Sequence, residues 1–190
     1  MNKNNKYILK VIVACAIAMS SCTKDFEDIS KDPNLVSDDL LKADFNSVGV
    51  FFPQMQQSVY YNFGNSNWEF QLQQNLIGDV YSGYMMPPTP FRGSDNNMTY
   101  ALVDGWNGFP FSLAYYNIMG PALTVEQKAK ADFPHFYAIS QILKVAGMHR
   151  VTDIYGPIPY SQYGKGGTTV AYDAQSQVYA SFFSELDNAI

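Results

Sequence analysis

Cysteine is nearly absent: the 190 residues hold two, Cys15 and Cys22. Their spacing offers no Cys-x-x-Cys pair for metal or redox work and no framework of disulfides. Charge is sparse and lopsided, with 12 basic residues against 17 acidic ones and a net of −5. Nucleic acid demands clustered lysine and arginine, and anionic lipid headgroups demand a basic face; this chain is poor in both. The uncharged run Val11–Met19 is nine residues, whereas a bilayer-spanning helix needs about 18–20. There is no G-x-S-x-G, no H-E-x-x-H and no P-loop, so the enzyme classes built on those motifs are excluded and no cofactor is implied. Paired carboxylates for glycoside hydrolysis stay open, because such partners need only meet in space. Nothing in the sequence favours them.

What is present begins at the N-terminus. Lys3, Lys6 and Lys10 precede the Val11–Met19 run, and Ser20-Ser21 lead into Cys22. A basic start, a short apolar stretch and a small-residue step describe a secretory signal. Met19-Ser20-Ser21-Cys22 resembles the lipobox of bacterial lipoproteins, which implies that the Cys22 thiol carries a diacylglyceryl group and becomes the mature N-terminus. The alternative is an ordinary signal with a chance cysteine. Two or more acyl chains anchor a protein stably where one holds it only marginally. The stretch Thr23-Lys24-Asp25-Phe26-Glu27-Asp28 resembles the lysine-plus-acid tag that sends some Gram-negative lipoproteins to the outer face of the outer membrane. Its alternative is a solvated tether. Loss of residues 1–21 removes three lysines and no acid, leaving nine basic against 17 acidic residues, net −8.

Three spans follow: a signal at 1–21, a lipidated flexible tether at 22–46 with a turn at Asp32-Pro33-Asn34, and a helical domain at 47–190. Val48, Phe51, Phe52, Met55, Val59 and Phe63 keep a helical period, with Pro53 tolerable only in a first turn. A second helix is expected from Trp68 to Tyr84, on Leu72, Leu76, Val80 and Tyr84. Pro87, Pro88, Pro90 and Gly93 then make Met85–Thr99 a long loop. A third helix is expected over Pro110–Met119. A fourth runs from about Pro134 to Ile154, with Phe136, Ile139, Leu143, Ala146 and Arg150 on one stripe and Asp132 as a cap. Gly156, Pro157 and Pro159 stop it. A fifth opens at Asp173 and presents Tyr179, Phe182, Phe183, Leu186, Ala189 and Ile190. No segment keeps a strand period. The fold expected is mostly α, with consecutive helix pairs in a repeat-like layer and long loops.

Candidate chemistry is thin. His149 and Asp153 sit four apart on one helix, where they could share a metal or a proton; an ion pair or cap near the helix end is the plainer reading. Aromatics are plentiful, 14 Tyr, 13 Phe and 2 Trp. Tyr84, Phe91, Tyr100, Trp106 and Phe109 gather around the proline-rich loop, with Arg92, Asp95, Asn96, Asn97 and Asn107 among them. Flat apolar rings beside amide and guanidinium donors suit a sugar, whose C–H face stacks while its hydroxyls take fixed polar partners. Tyr84, Arg92, Asn97, Tyr100, Trp106 and Asn107 are the expected ligand residues. Simple packing of the loop onto the helices is the alternative for each.

The stretch HRVTDIYGPIPYSQ (149–162), followed by AYDAQSQVYASFFSELDNAI (171–190), resembles the signature block of the SusD/RagB family of outer-membrane nutrient-binding lipoproteins. Arg150, Thr152, Asp153, Tyr155, Gly156, Pro159, Tyr160 and Ser161 match its first part, and Tyr172, Asp173, Gln175, Val178 and Tyr179 its second. The NLIGDVYSGY segment and Asp104-Gly105-Trp106-Asn107 are similar to the family's N-terminal half. The resemblance implies tetratricopeptide-like helix pairs and no catalysis. It also implies a surface-facing, outer-membrane position as a lid on a SusC-like TonB-dependent transporter, for which the protein captures oligosaccharides or other nutrients. It implies as well that the chain is the N-terminal portion of a longer protein, with Gly156, Pro159, Tyr155 and Tyr160 as scaffold. The rivals are a lipid-anchored glycan hydrolase of the same uptake system and a helical scaffold without ligand.

Serine is a far poorer nucleophile than a thiolate. Cys22→Ser is therefore expected to abolish incorporation of labelled fatty acid; label persisting on the variant would refute the anchor.

Overall fold

Helix breakers divide the chain. The computed structural model describes residues 38–60, 70–86, 88–89, 92–93, 95 and 97–190. Cys22, the signal, the tether before Asp38, and Phe63, Trp68, Phe91 and Asn96 lie outside the described residues. Helix α1 is Asp38–Ala43, so the end of the span read as tether is helical; it belongs to a compact unit of its own that ends at Ala43.

The second unit carries all the rest. Helix α2 is Asn46–Gly49, and α3, Phe52–Tyr60, holds Pro53 in its first turn as expected. A π-helical stretch, Gln71–Gly78, runs into α4, Asp79–Ser82, which Gly83 ends at φ +73°. Tyr84 therefore falls beyond the helix expected to include it. The expected four-residue stripe also fails here, because a π-helix closes its bonds five residues apart and shifts the face: Leu72, Gln73 and Ile77 are buried, and Gln74 reaches Asp79 five residues on, Nε2 to Oδ1 2.8 Å.

The third expected helix is much longer than its apolar pattern. A turn of 3₁₀ helix at Asn97–Thr99 precedes α5, Asp104–Ala114; a π segment, Tyr115–Met119, joins it without a break to α6, Gly120–Ala129. Gly105, Gly108 and Pro110 obscured its start. Yet Asp104 in the first turn favours the positive end of the helix dipole, and Pro110 is buried inside it. Trp106, Asn107 and Phe109, expected around the proline-rich loop, are consequently on a helix.

Helix α7, Pro134–Tyr155, begins with proline, whose missing amide would be unbonded in a first turn anyway. Its N-cap residue is Phe133 and makes no side-chain cap, so Asp132 is not the cap expected. The predicted stripe is also corrected. Ser140, Gln141, Val145, Gly147, Met148, Val151 and Thr152 are buried, while Ile139 is 46% exposed. A helix touched by α3, α6 and α8 together has no single apolar face. Gly147 has its reason: a Cβ there would collide with Ile118, itself fully buried. One core joins Ala114, Ile118, Met148, Val151, Val178 and Phe182; a second joins Val48, Phe52, Val125 and Ala129 to the rings of Phe133 and Phe136.

Gly156, at φ +73°, turns the chain out of α7, and Thr152 donates its hydroxyl to the Gly156 carbonyl at 2.6 Å. An isolated bridge pairs Ile158 with Asp173; among the described residues there is no strand. Helix α8 is Gln175–Ala189, opening two residues later than expected. Asp173 is otherwise engaged. Its carboxylate accepts the Tyr160 amide at 3.1 Å, the Ser161 amide at 2.5 Å and the Ser161 hydroxyl at 2.8 Å. The helix is capped instead by Gln177, whose Oε1 accepts the Ala174 amide at 3.0 Å. On α8, Phe182 is buried as expected, whereas Phe183 and Ile190 are exposed.

Burial pushes the Asp173 carboxyl up, but the amide and hydroxyl of Ser161, the amide of Tyr160 and, least, the Lys165 charge outweigh it and hold the group below its ordinary range. A depressed carboxyl contributes stability that is complete above the unfolded pKa, near 4, and is lost as pH falls through the folded value. Urea midpoints should therefore fall on acidification more steeply in the natural chain than in Asp173→Asn. Parallel pH profiles would show that the three donors do not favour the charged form.

Candidate ligand-binding site

The site lies where α4 ends. Gly83 takes the left-handed conformation that stops a helix cheaply, and the chain leaves it with Tyr84, Met85 and Met86 exposed. A cavity of about 350 Å³ opens beside them, lined by Gln71, Asn75, Leu76, Asp79, Met85 and Met86. Tyr81, on α4, stacks against Tyr100 with ring centroids 5.9 Å apart and planes 25° from parallel. Tyr100 is 79% exposed, so the pair presents a flat aromatic face outward. Burial, and secondarily Tyr100, raise the Tyr81 phenol above its ordinary range, which keeps it a neutral hydroxyl donor.

The polar residues divide by role. Arg92 lays its guanidinium over the Trp106 ring, Cζ 5.1 Å from the centroid, and reaches Asp95 at 3.4 Å across an exposed pair of little energetic weight. Asn97 is 2% exposed. Its Nδ2 donates to the Leu76 carbonyl at 2.7 Å, and its Oδ1 accepts from Asn107 Nδ2 at 3.2 Å and from the Val103 amide at 3.4 Å. Asn107 Nδ2 also donates to the Val103 carbonyl at 2.9 Å, and the Asn107 carbonyl accepts the Tyr155 hydroxyl. Asn97 and Asn107 thus tie the π-helix, the loop and α5 together from within. Tyr155 links this tie to the turn after α7; burial pushes its phenol up to about 12.

The backbone is strained at the same place. Among the described residues three non-glycines have positive φ, and two are here, Arg92 at +57° and Tyr100 at +58°. Such a conformation costs roughly 1–2 kcal/mol per residue and persists where the surroundings impose it, often at ligand sites.

Of the residues expected to bind ligand, the structure brings Arg92 to Trp106 and Asn97 to Asn107, places Tyr100 against Tyr81, and leaves Tyr84 88% exposed on the adjoining turn. Tyr81 was not foreseen. Its one signal was its position off the Leu72, Leu76, Val80 row in an aromatic-ending helix. His149 and Asp153 go separate ways, His149 Nδ1 to the Val145 carbonyl at 3.1 Å and Asp153 to the Tyr179 hydroxyl at 2.7 Å. The expected pairing between them is not formed. Among the described residues no three His, Cys, Asp or Glu gather as metal ligands. The arrangement can stack a flat ring and hydrogen-bond its edge.

The described residues form helices that turn at a Tyr-Gly-Pro-x-Pro-Tyr block and leave the Tyr81 and Tyr100 rings exposed. Residues 28–190 match the SusD-like family model, described as SusD and RagB outer-membrane lipoprotein, and the chain belongs to that family. Its helical fold is shared by a chitin-binding SusD homologue from Flavobacterium johnsoniae, 46% identical with a TM-score of 0.69 over 75% of this chain and 29% of the other. A SusD homologue from Bacteroides vulgatus is 37% identical, TM-score 0.67, over 78% of this chain and 30% of that one. Another from Bacteroides thetaiotaomicron is 29% identical, TM-score 0.59, over 75% and 28%. The chain thus spans less than a third of the length of these structures. No curated protein matches.

Asn97→Ala should lower stability by about 2 kcal/mol, since it leaves the Leu76 carbonyl and the Val103 amide without their partner, and should weaken ligand affinity only together with that loss of stability. Thermal melts beside calorimetry read both. Loss of affinity without loss of stability would make Asn97 a direct ligand residue.

Proposed function

We propose that this protein works at the outer membrane as a lipid-anchored, surface-facing receptor. It captures an oligosaccharide or another nutrient and presents it to a SusC-like TonB-dependent transporter. The observation that carries the reading is the outward-facing Tyr81–Tyr100 stack. An exposed aromatic pair held on a strained backbone is costly unless it meets something, and the C–H face of a pyranose is its natural complement. Arg92 on Trp106 and the hydroxyl of Tyr84 supply polar contacts at its margin. Membership of a family of outer-membrane lipoproteins supports the location, and a relative described as chitin-binding supports a saccharide as ligand. The Cys22 lipobox and the acidic tag after it supply the anchor and the outward address, with 1–21 removed as signal. The reading is of binding without hydrolysis.

Calorimetry of the full chain against oligosaccharides, those of chitin included, tests it. Tyr81→Ala and Tyr100→Ala should each weaken binding by roughly 1–2 kcal/mol, as aromatic anchors do, with little change in melting temperature. Trp106→Ala should also weaken binding. Equal affinity in all three, or glycan cleavage by the purified protein that a carboxylate substitution abolishes, would overturn the receptor reading.

A further inference from the structure

A second cavity, of about 580 Å³, lies away from the tyrosine stack, among α6, α7, α8 and the loop after Tyr160. Its size falls in the range of small-ligand sites, roughly 300–1,000 Å³. Leu123, Met119 and the Tyr163 side chain give it an apolar floor. The acids in its wall are already matched. Glu185 takes the Lys144 ammonium at 2.8 Å and the Tyr160 hydroxyl at 2.6 Å, and Glu126 takes Lys130 at 3.1 Å. A third lysine, Lys165, is exposed in the cavity lining and forms no ion pair among the described residues; its charge helps to hold the Asp173 carboxyl down, but within the lining itself one positive charge is left over.

The loop that carries Lys165 is seated rather than loosely draped. Gly164 takes φ +76° and presses so closely on Leu123 that a Cβ would collide with that side chain. Its neighbour Ser161 is fastened to Asp173. Gln127 and Ser181 add amide and hydroxyl groups to the wall. We propose that this cavity is a second binding site, for a carboxylate-bearing sugar of the uronic-acid class. Lys165 receives the carboxylate, and the Leu123–Tyr163 floor receives the ring. A bare inorganic anion would gain nothing from the apolar floor, and a neutral sugar would leave the lysine without a direct ion partner. The inference rests on the glycan-capture reading only for the class of ligand, not for the site.

Titration calorimetry with a uronic-acid disaccharide, and with a neutral disaccharide of the same linkage, tests it on the full chain. Lys165→Ala should weaken uronate binding about tenfold, the scale of one charge-assisted hydrogen bond, and Lys165→Arg should largely retain it. Tyr81→Ala should leave it unchanged, whereas neutral oligosaccharide binding should respond to Tyr81→Ala and not to Lys165→Ala. No uronate binding at millimolar concentration overturns the proposal, as does binding indifferent to Lys165→Ala. Uronate binding lost in Tyr81→Ala would place the ligand on the tyrosine stack, leaving glycan capture intact and this site refuted. Inorganic phosphate displacing the uronate at equal concentration would show an unspecific cation and refute the sugar site.

Discussion

Three donors converge on the Asp173 carboxylate, two amides and a hydroxyl, all from Tyr160 and Ser161. They close the reversal between α7 and α8, and much else follows from that closure. With the turn fixed, Gln175 reaches back to the Thr152 carbonyl at 2.9 Å and α8 lies along α7. Tyr115 can then donate to the Pro159 carbonyl at 2.7 Å, and Tyr155 to the carbonyl of Asn107. Those two bonds attach α5, the helix of Trp106, to the same turn. The motif residues therefore act as scaffold, by holding the helix that carries Trp106 and Asn107.

The turn also encloses a charge. Lys144 and Glu185 pair with side chains only 12% and 19% exposed, and the Lys144 ammonium lies 5.2 Å from the centre of the Tyr160 ring. Removing two charges from water costs several kcal/mol unless the remaining lone pairs are used. Here the second oxygen of Glu185 accepts the Tyr160 hydroxyl, so the carboxylate is satisfied twice. Burial and the Glu185 carboxylate raise the Tyr160 phenol far above its ordinary range, which keeps it a donor. Loss of any one member would leave a poorly solvated group behind, which makes the three a unit.

The aromatic face has the opposite character. Tyr81 comes from α4 and Tyr100 follows the 3₁₀ turn, both exposed, and the buried Asn97 amide ties that turn to the π-helix. A rigid scaffold that carries a displayed loop is the usual division of labour in binding proteins. In this chain α5, α7 and α8 share a buried core, whereas Tyr81, Tyr84 and Tyr100 stand exposed.

The sequence by itself determined the helical class, the stop at Gly156, the start of α7 at Pro134 and the family likeness of residues 149–162. Each is a local matter of backbone freedom, missing amides or a contiguous motif. It also set Cys22 behind small residues, a local pattern that needs no fold. Where it misled, the cause was tertiary. Packing on several sides erased the single stripe expected of α7, π segments shifted the faces of two helices, and the start of α5 is helical although its glycines and proline carry no helical signal. The stacking of Tyr81 on Tyr100, and the engagement of both ends of the Asn97 amide, belong wholly to the tertiary structure. They join residues far apart in the chain through a backbone conformation that only surrounding contacts can impose.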